Sequence, residues 1–144
     1  MVPKLTIELV PRTSWFTNLR SILSGEDWDR IRRATYLSAN FICQICGGRG
    51  VKHPVECHEI WQYDDLKHHQ TLTGLIALCP DCHRVKHIGL AKVQGFYSDA
   101  VRHLAKVNEW SIGQAESYIC SAFEQWKKRN AFTWTIDISI ITSC

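Results

Sequence analysis

Cys79-Pro80-Asp81-Cys82-His83-Arg84-Val85-Lys86-His87 carries two kinds of metal ligand in one short stretch. Cys79 and Cys82 form a CxxC pair. A second pair lies upstream at Cys43-Gln44-Ile45-Cys46, with 32 residues between the two. A CxxC turn aims two thiolates at one ion, and two such turns complete the tetrahedron that structural zinc prefers. Cys43, Cys46, Cys79 and Cys82 therefore predict a zinc site that clamps both ends of the intervening segment. Structural zinc is worth about 10 to 16 kcal/mol in small peptide sites, more than the whole stability of many domains. Cys57 is a rival ligand because it neighbours His58. Cys120 and Cys144 read as ordinary thiols, buried or terminal.

His83 and His87 are spaced i and i+4. On a helix their side chains share one face, about 5 to 6 Å apart at Cβ, which suits one divalent cation. The CxxC turn fixes where that helix starts, near Pro80, since proline is favoured in a first turn. His58 ends the predicted strand Val55–His58, from which an imidazole can face the helix. A histidine neutral near pH 7 can accept a proton from water. The three histidines thus divide into one candidate base and two candidate ligands.

The chain has 144 residues, a length that suggests one domain. Within it, residues 1–40 read as an N-terminal strand and helices, 41–90 as the metal-bearing core, and 91–144 as C-terminal helices and a strand. A hydrophobic content of 45% argues against global disorder. Met1 to Arg12 lacks the apolar run of a signal peptide, and no stretch approaches the roughly 18 to 20 apolar residues that span a bilayer. A soluble, cytoplasmic protein is expected, and for such a chain paired cysteines suggest metal rather than disulfides. The net charge of +3 only weakly favours an anionic partner. Basic residues cluster at Arg30, Arg32 and Arg33, at Lys127, Lys128 and Arg129, and between Arg84 and Lys106.

Leu5–Leu9 and Phe132–Ile140 alternate apolar and polar residues, as half-buried strands do. Their pairing into one sheet is expected, since each has an apolar face to hide. Thr13 or Ser14 is expected to cap a short helix. Ser24 and Asp27 mark the start of a helix to about Ala39. Val51–Trp61 reads as strand, Gln62–Thr73 as polar loop or short helix, and a helix from Pro80 should end near Gly89. Ser98–Asn108 and Gln114–Asn130 read as helices. The six tryptophans fit packing better than a platform for stacking bases.

The order CxxC, histidine at a strand end, then LxxLCxxCHxxxH resembles the HNH endonucleases with their ββα-metal fold. Further segments are similar to one bacterial and phage branch of that family. They are Val10-Pro11-Arg12-Thr13-Ser14-Trp15-Phe16-Thr17-Asn18, His58-Glu59-Ile60-Trp61-Gln62-Tyr63-Asp64, Gly74-Leu75-Ile76-Ala77-Leu78-Cys79-Pro80 and Trp134-Thr135-Ile136-Asp137-Ile138-Ser139. The resemblance implies an α+β fold: a ββα-metal core with a four-cysteine zinc site, flanking helices and a small terminal sheet. It implies a metal-dependent endonuclease that hydrolyses phosphodiester bonds of DNA, double-stranded by preference. His58 would be the general base, and His83 and His87 would bind a catalytic divalent metal such as Mg²⁺, Mn²⁺ or Ni²⁺. Products would carry 5′-phosphate and 3′-hydroxyl ends.

The sequence departs from the family pattern twice. Cys57 stands where an acid or histidine commonly helps to bind the metal, and thiolates are poor ligands for Mg²⁺. Glu56 or Glu59 are candidate substitutes. The motif's middle asparagine falls near Gly74, leaving Asp64, His68, His69 or Gln70 as candidates to orient the base, with His68 or Gln70 favoured. Arg84 and Lys86 are the candidates for gripping the DNA backbone. An inactive, zinc-stabilised module that binds nucleic acid or a partner would keep the cysteines and basic patches, but would not need three histidines together.

Overall fold

The computed structural model describes residues 2–142, so Cys144 lies outside the described residues. Its elements mix helix and strand: α1 (Leu19–Ile22), α2 (Gly25–Ser38), β1 (Glu56–Asp64), β2 (His69–Leu78), α3 (Pro80–Lys86), α4 (Ile88–Val93), α5 (Tyr97–Asn108), α6 (Ile112–Arg129), β3 (Thr135–Asp137) and α7 (Ser139–Thr142). The protein is α+β with a small three-stranded sheet in the order β1-β2-β3.

Helix starts follow local chemistry. Ser24 caps α2 by accepting from the Asp27 amide. Ser111 and Gln114 form a reciprocal capping box at α6. The short α1 is capped by Asn18 rather than by Thr13 or Ser14, which belong to a 3₁₀ turn at Arg12–Ser14. The helix from Pro80 stops at Lys86, and Gly89 lies inside the next helix, α4.

The hairpin is longer than expected. Antiparallel pairing runs from Glu56↔Leu78 to Asp64↔His69, so most of Gln62–Thr73 is strand instead of loop. The reason is a hidden alternation: Gln70 and Leu72 are buried while Thr71 and Thr73 face outward. The expected pairing of the two terminal strands does not occur. Thr135–Asp137 pairs parallel with His69–Thr71 of β2; residues 132–134 of the predicted strand are irregular, and its end at Ser139 and Ile140 belongs to α7.

The N-terminal segment is extended but joins no sheet. Leu5 and Ile7 are buried in the main core with Val85, Ile88, Leu104 and Ile119. Helix side chains satisfy its backbone: Asn108 Oδ1 accepts from the Lys4 and Leu5 amides, and Tyr118 Oη from the Ile7 amide. An apolar alternation thus finds its burial without a ladder, since a buried backbone group needs a partner but not a strand. Cys120 is exposed on α6. Among the described residues, no helix is long and apolar enough to cross a membrane.

Candidate metal centres

The two CxxC turns meet. Cys43, Cys46, Cys79 and Cys82 bring their sulfurs within 4.8 Å of one another. Gln44 docks the first turn on the end of β2, donating its amide to Ala77 O and accepting the Ala77 amide at its side-chain oxygen, both at 2.9 Å. Gly47 turns that knuckle with φ +78°, which side-chain-bearing residues rarely adopt. Gly50 lets the segment pass beneath Pro80: a Cβ there would lie 2.1 Å from His53 O. Cys79 caps α3 by accepting from the Cys82 amide.

Four sulfurs can hold a metal such as zinc, and the chemistry of this set fits one. Cys46 Sγ and Cys79 Sγ stand 3.6 Å apart. That is too long for a disulfide bond and close to the edge of a tetrahedron built from Zn–S bonds of about 2.3 Å. Without a cation the sulfurs oppose each other's ionisation. Cys43 is held far down, first by the hydrogen bond from Cys82. Cys82 is pushed up by donating that same bond and by burial. Cys79 is pushed up mainly by burial. A divalent ion removes this conflict by stabilising all four thiolates.

The second cluster begins at the residue after Cys82. His58 on β1, His83 on α3 and His87 offer ring nitrogens within 4.8 Å of one another. His83 Nε2 and His87 Nε2 lie 3.1 Å apart, the spacing expected of two imidazoles sharing one ion at about 2.1 Å. His87 is not in the regular helix. It joins α3 to α4 with φ −108° and ψ 49°, yet its amide still bonds His83 O, keeping the one-turn spacing. The His58 ring packs edge-on against both, with centroids 5.3 Å away. Burial, then the neighbouring His87 and His83, holds His58 down at about 2. Burial and His83 hold His87 at about 4. Both rings are neutral at physiological pH, the form that binds metal or accepts a proton.

Strand alternation sorts the supporting residues. Glu56 shares the face of His58, and its Oε1 stands 2.9 Å from His83 Nδ1. Its other oxygen meets His53 Nε2 at 2.8 Å. The bond to His83 keeps Glu56 ionised down to about 2. Glu56 is therefore a partner of a histidine in the cluster and not one of the clustered ligands. Cys57 points the other way, towards Thr35 of α2, and burial pushes its thiol up. Glu59 also turns away. It accepts from the Leu19 amide and Trp61 Nε1, pinning α1 to β1.

Asp64, His68, His69 and Gln70 are not near the histidines. They sit at the turn end of the hairpin, about 20 Å along the strand from His58 at the usual rise per residue. Asp64 caps that turn by accepting from the Leu66 and Lys67 amides. His68 stacks on Phe132 at 4.0 Å. Gln70 is fully buried and accepts from Ser14 Oγ. None of the four can orient His58. Gly74 lies across from Ile60, and a Cβ there would meet only Ile60 Cδ1 at 3.9 Å.

The basic candidates also divide. Arg84 is partly exposed, its guanidinium 4.7 Å over Phe96 and 3.5 Å from Asp81. Lys86 is turned inward instead of to solvent. Only 8% exposed, it donates to Thr6 Oγ1 and Glu8 Oε2, tying the N-terminal segment to α3. The basic cluster that singled out Lys86 did not reveal that Thr6 and Glu8 would cover it. Two histidines outside every motif take part as well. His53 braces Glu56, and His103 of α5 brings Nε2 to 3.1 Å from Cys82 Sγ. For His103 the only sequence signal is its place beside Leu104 on the apolar stripe of α5.

No family model matches the chain, and comparison with curated proteins and with solved structures gives no match.

Proposed function

We propose that the protein is a metal-dependent DNA endonuclease of the HNH type, with residues 56–87 as a ββα-metal unit. The observation that carries this reading is the convergence of His58, His83 and His87 beside a separate four-sulfur centre. Four sulfurs alone would serve a structural role, and they do not require three imidazoles gathered one residue away.

A divalent cation at His83 and His87 would supply Lewis acidity at a phosphate oxygen and at the leaving 3′ oxygen. The remaining work falls to the chain. His58, neutral and beside that pair, would take the proton from the attacking water once the negative charge of a bound phosphate offsets the burial and neighbouring imidazoles that lower its basicity. Glu56 accepts from His83 Nδ1 and leaves Nε2 as the ligand atom. Arg84, half-exposed next to His83, offers a donor fork to a phosphate of the bound strand. The products would be 5′-phosphate and 3′-hydroxyl ends. Imidazole donors favour Ni²⁺ over Mg²⁺ at this position.

The test is plasmid nicking with Mg²⁺, Mn²⁺ or Ni²⁺ beside His58→Ala. Nicking by the parent protein alone supports the reading. Binding of plasmid without nicking would favour a zinc-stabilised nucleic-acid-binding module, and neither activity would favour a partner-binding role.

A further inference from the structure

Each of the four clustered sulfurs has a nitrogen within hydrogen-bond distance, and one of these nitrogens differs in kind. Cys43 Sγ accepts from the Cys46 amide, Cys46 Sγ from the Gly48 amide and Cys79 Sγ from the Cys82 amide, each at 3.4 Å. Cys82 Sγ instead lies 3.1 Å from His103 Nε2.

The two knuckles account for the difference. In the first, the amide two residues past the second cysteine, at Gly48, turns back onto sulfur because Gly47 leads the chain out of helical geometry. The equivalent residue of the second knuckle is Arg84, inside α3. There the amide belongs to the helical ladder, closing on the carbonyl four residues earlier. The helix that carries His83 into place thus takes away the backbone donor that Cys82 would otherwise receive. A side chain 21 residues further on, from α5, stands where that donor is missing.

We infer that His103 is a positioning residue of the four-sulfur metal centre, donating Nε2–H to Cys82 Sγ. A metal-bound thiolate offers only lone pairs, so the facing nitrogen must carry the proton. His103 is outside the ligand set itself, because the mutually close donor atoms are those of the four cysteines. Four thiolates around one divalent ion leave a net negative charge in a largely buried place. Each N–H aimed at sulfur offsets part of it, and such outer partners typically change metal affinity 10–100-fold. The contact also couples the ion to α5, whose Val101, Leu104 and Ala105 lie in the main core.

The test compares His103→Phe, which keeps a ring but has no donor, with His103→Gln, which restores an N–H. Each zinc-loaded protein is titrated with a chromogenic chelator. The thiolate-to-metal charge-transfer band is then recorded after Co²⁺ exchange. His103→Phe should release zinc about 10–100-fold more readily and shift the band, while His103→Gln stays close to the parent. Parent-like zinc retention and an unshifted band in His103→Phe would overturn the inference. So would a His103→Gln protein that releases zinc as readily as His103→Phe. If His103→Phe does not fold, His103→Met replaces it as the variant without a donor, and equal retention by Met and Gln sinks the proposal.

Discussion

Glu56 Oε1 and His83 Nδ1 stand 2.9 Å apart, and this contact decides which nitrogen of His83 is free. A carboxylate only accepts, so Nδ1 carries the proton and Nε2 presents its lone pair towards His87 Nε2. Glu56→Ala releases that tautomer. Affinity for Mn²⁺ or Ni²⁺ is expected to fall about 10–100-fold in calorimetric titration, with the zinc content of the four-sulfur centre unchanged. Unaltered affinity would remove Glu56 from the site.

His58 and Cys57 are neighbours in sequence but face opposite sides of β1. His58→Ala should slow nicking by about 100- to 10,000-fold, the usual worth of a general base. Cys57→Ser, directed at Thr35, should leave both the rate and the bound metal as they are. A Cys57→Ser protein that loses activity while staying folded would contradict this division.

Acid should weaken the fold through the clustered imidazoles of His58, half-buried, and His87, exposed at the surface but with its ring against His58 and His83. Burial first, then neighbouring imidazoles, holds His87 at about 4 and His58 at about 2. Both lie below the ordinary histidine value of about 6.5. The unfolded chain therefore takes up these protons first as the pH falls. The stability that depends on a neutral His87 is complete above about 6.5 and is lost as the pH drops towards 4. Paired melts of the parent and His87→Gln isolate the effect from acid loss of zinc. The parent's Tm relative to the variant should be constant above 6.5 and decline below it. A constant difference down to pH 4.5 would refute the assignment.

Removing the metal from the four sulfurs should unfold more than the knuckles, because Cys79 caps α3 and Cys82 reaches α5. A strong chelator, or Cys82→Ser, should reduce helical circular dichroism and abolish the cooperative melt. A chelated protein that melts as before would show that the sulfurs are only neighbours.

Arg84 and Lys86 should respond differently to alanine. Lys86→Ala breaks buried contacts with Thr6 and Glu8, costing about 1–3 kcal/mol of stability. Arg84→Ala should barely move the Tm but reduce the salt dependence of DNA binding by about one unit of slope. If Lys86→Ala instead weakened DNA binding at unchanged Tm, the inward placement of Lys86 would be wrong.

The parts of the site legible in the sequence are those set by local spacing. CxxC turns and an HxxxH step fix ligand geometry within one turn of chain, so Cys43, Cys46, Cys79 and Cys82 come together, as do His83 and His87. Two distant relationships were legible through ligand chemistry, the meeting of the CxxC pairs and of His58 with the histidine pair, but others were not. Gln70 and His68 are close to Gly74 in sequence, but strand rise carries them away from His58. Leu5–Leu9 alternates like a strand, yet Asn108 and Tyr118 satisfy its backbone instead of a neighbouring strand. Lys86 and His103 depend on which segments cover α3 and α5, and no periodicity encodes that.

The peptide bond between Cys82 and His83 joins two centres with different appetites. Sulfur ligands hold a soft ion tightly, whereas two imidazoles and open positions exchange theirs freely. Loading would therefore follow a hierarchy: the sulfur ion shapes the first turn of α3, and only then is the imidazole pair pre-set for its own cation. Under metal scarcity the protein would surrender its exchangeable ion first and keep its architecture, waiting to be recharged. Loss of the sulfur-bound ion would end both, so on the proposed reading adjacent residues would release their metals at two different levels of supply.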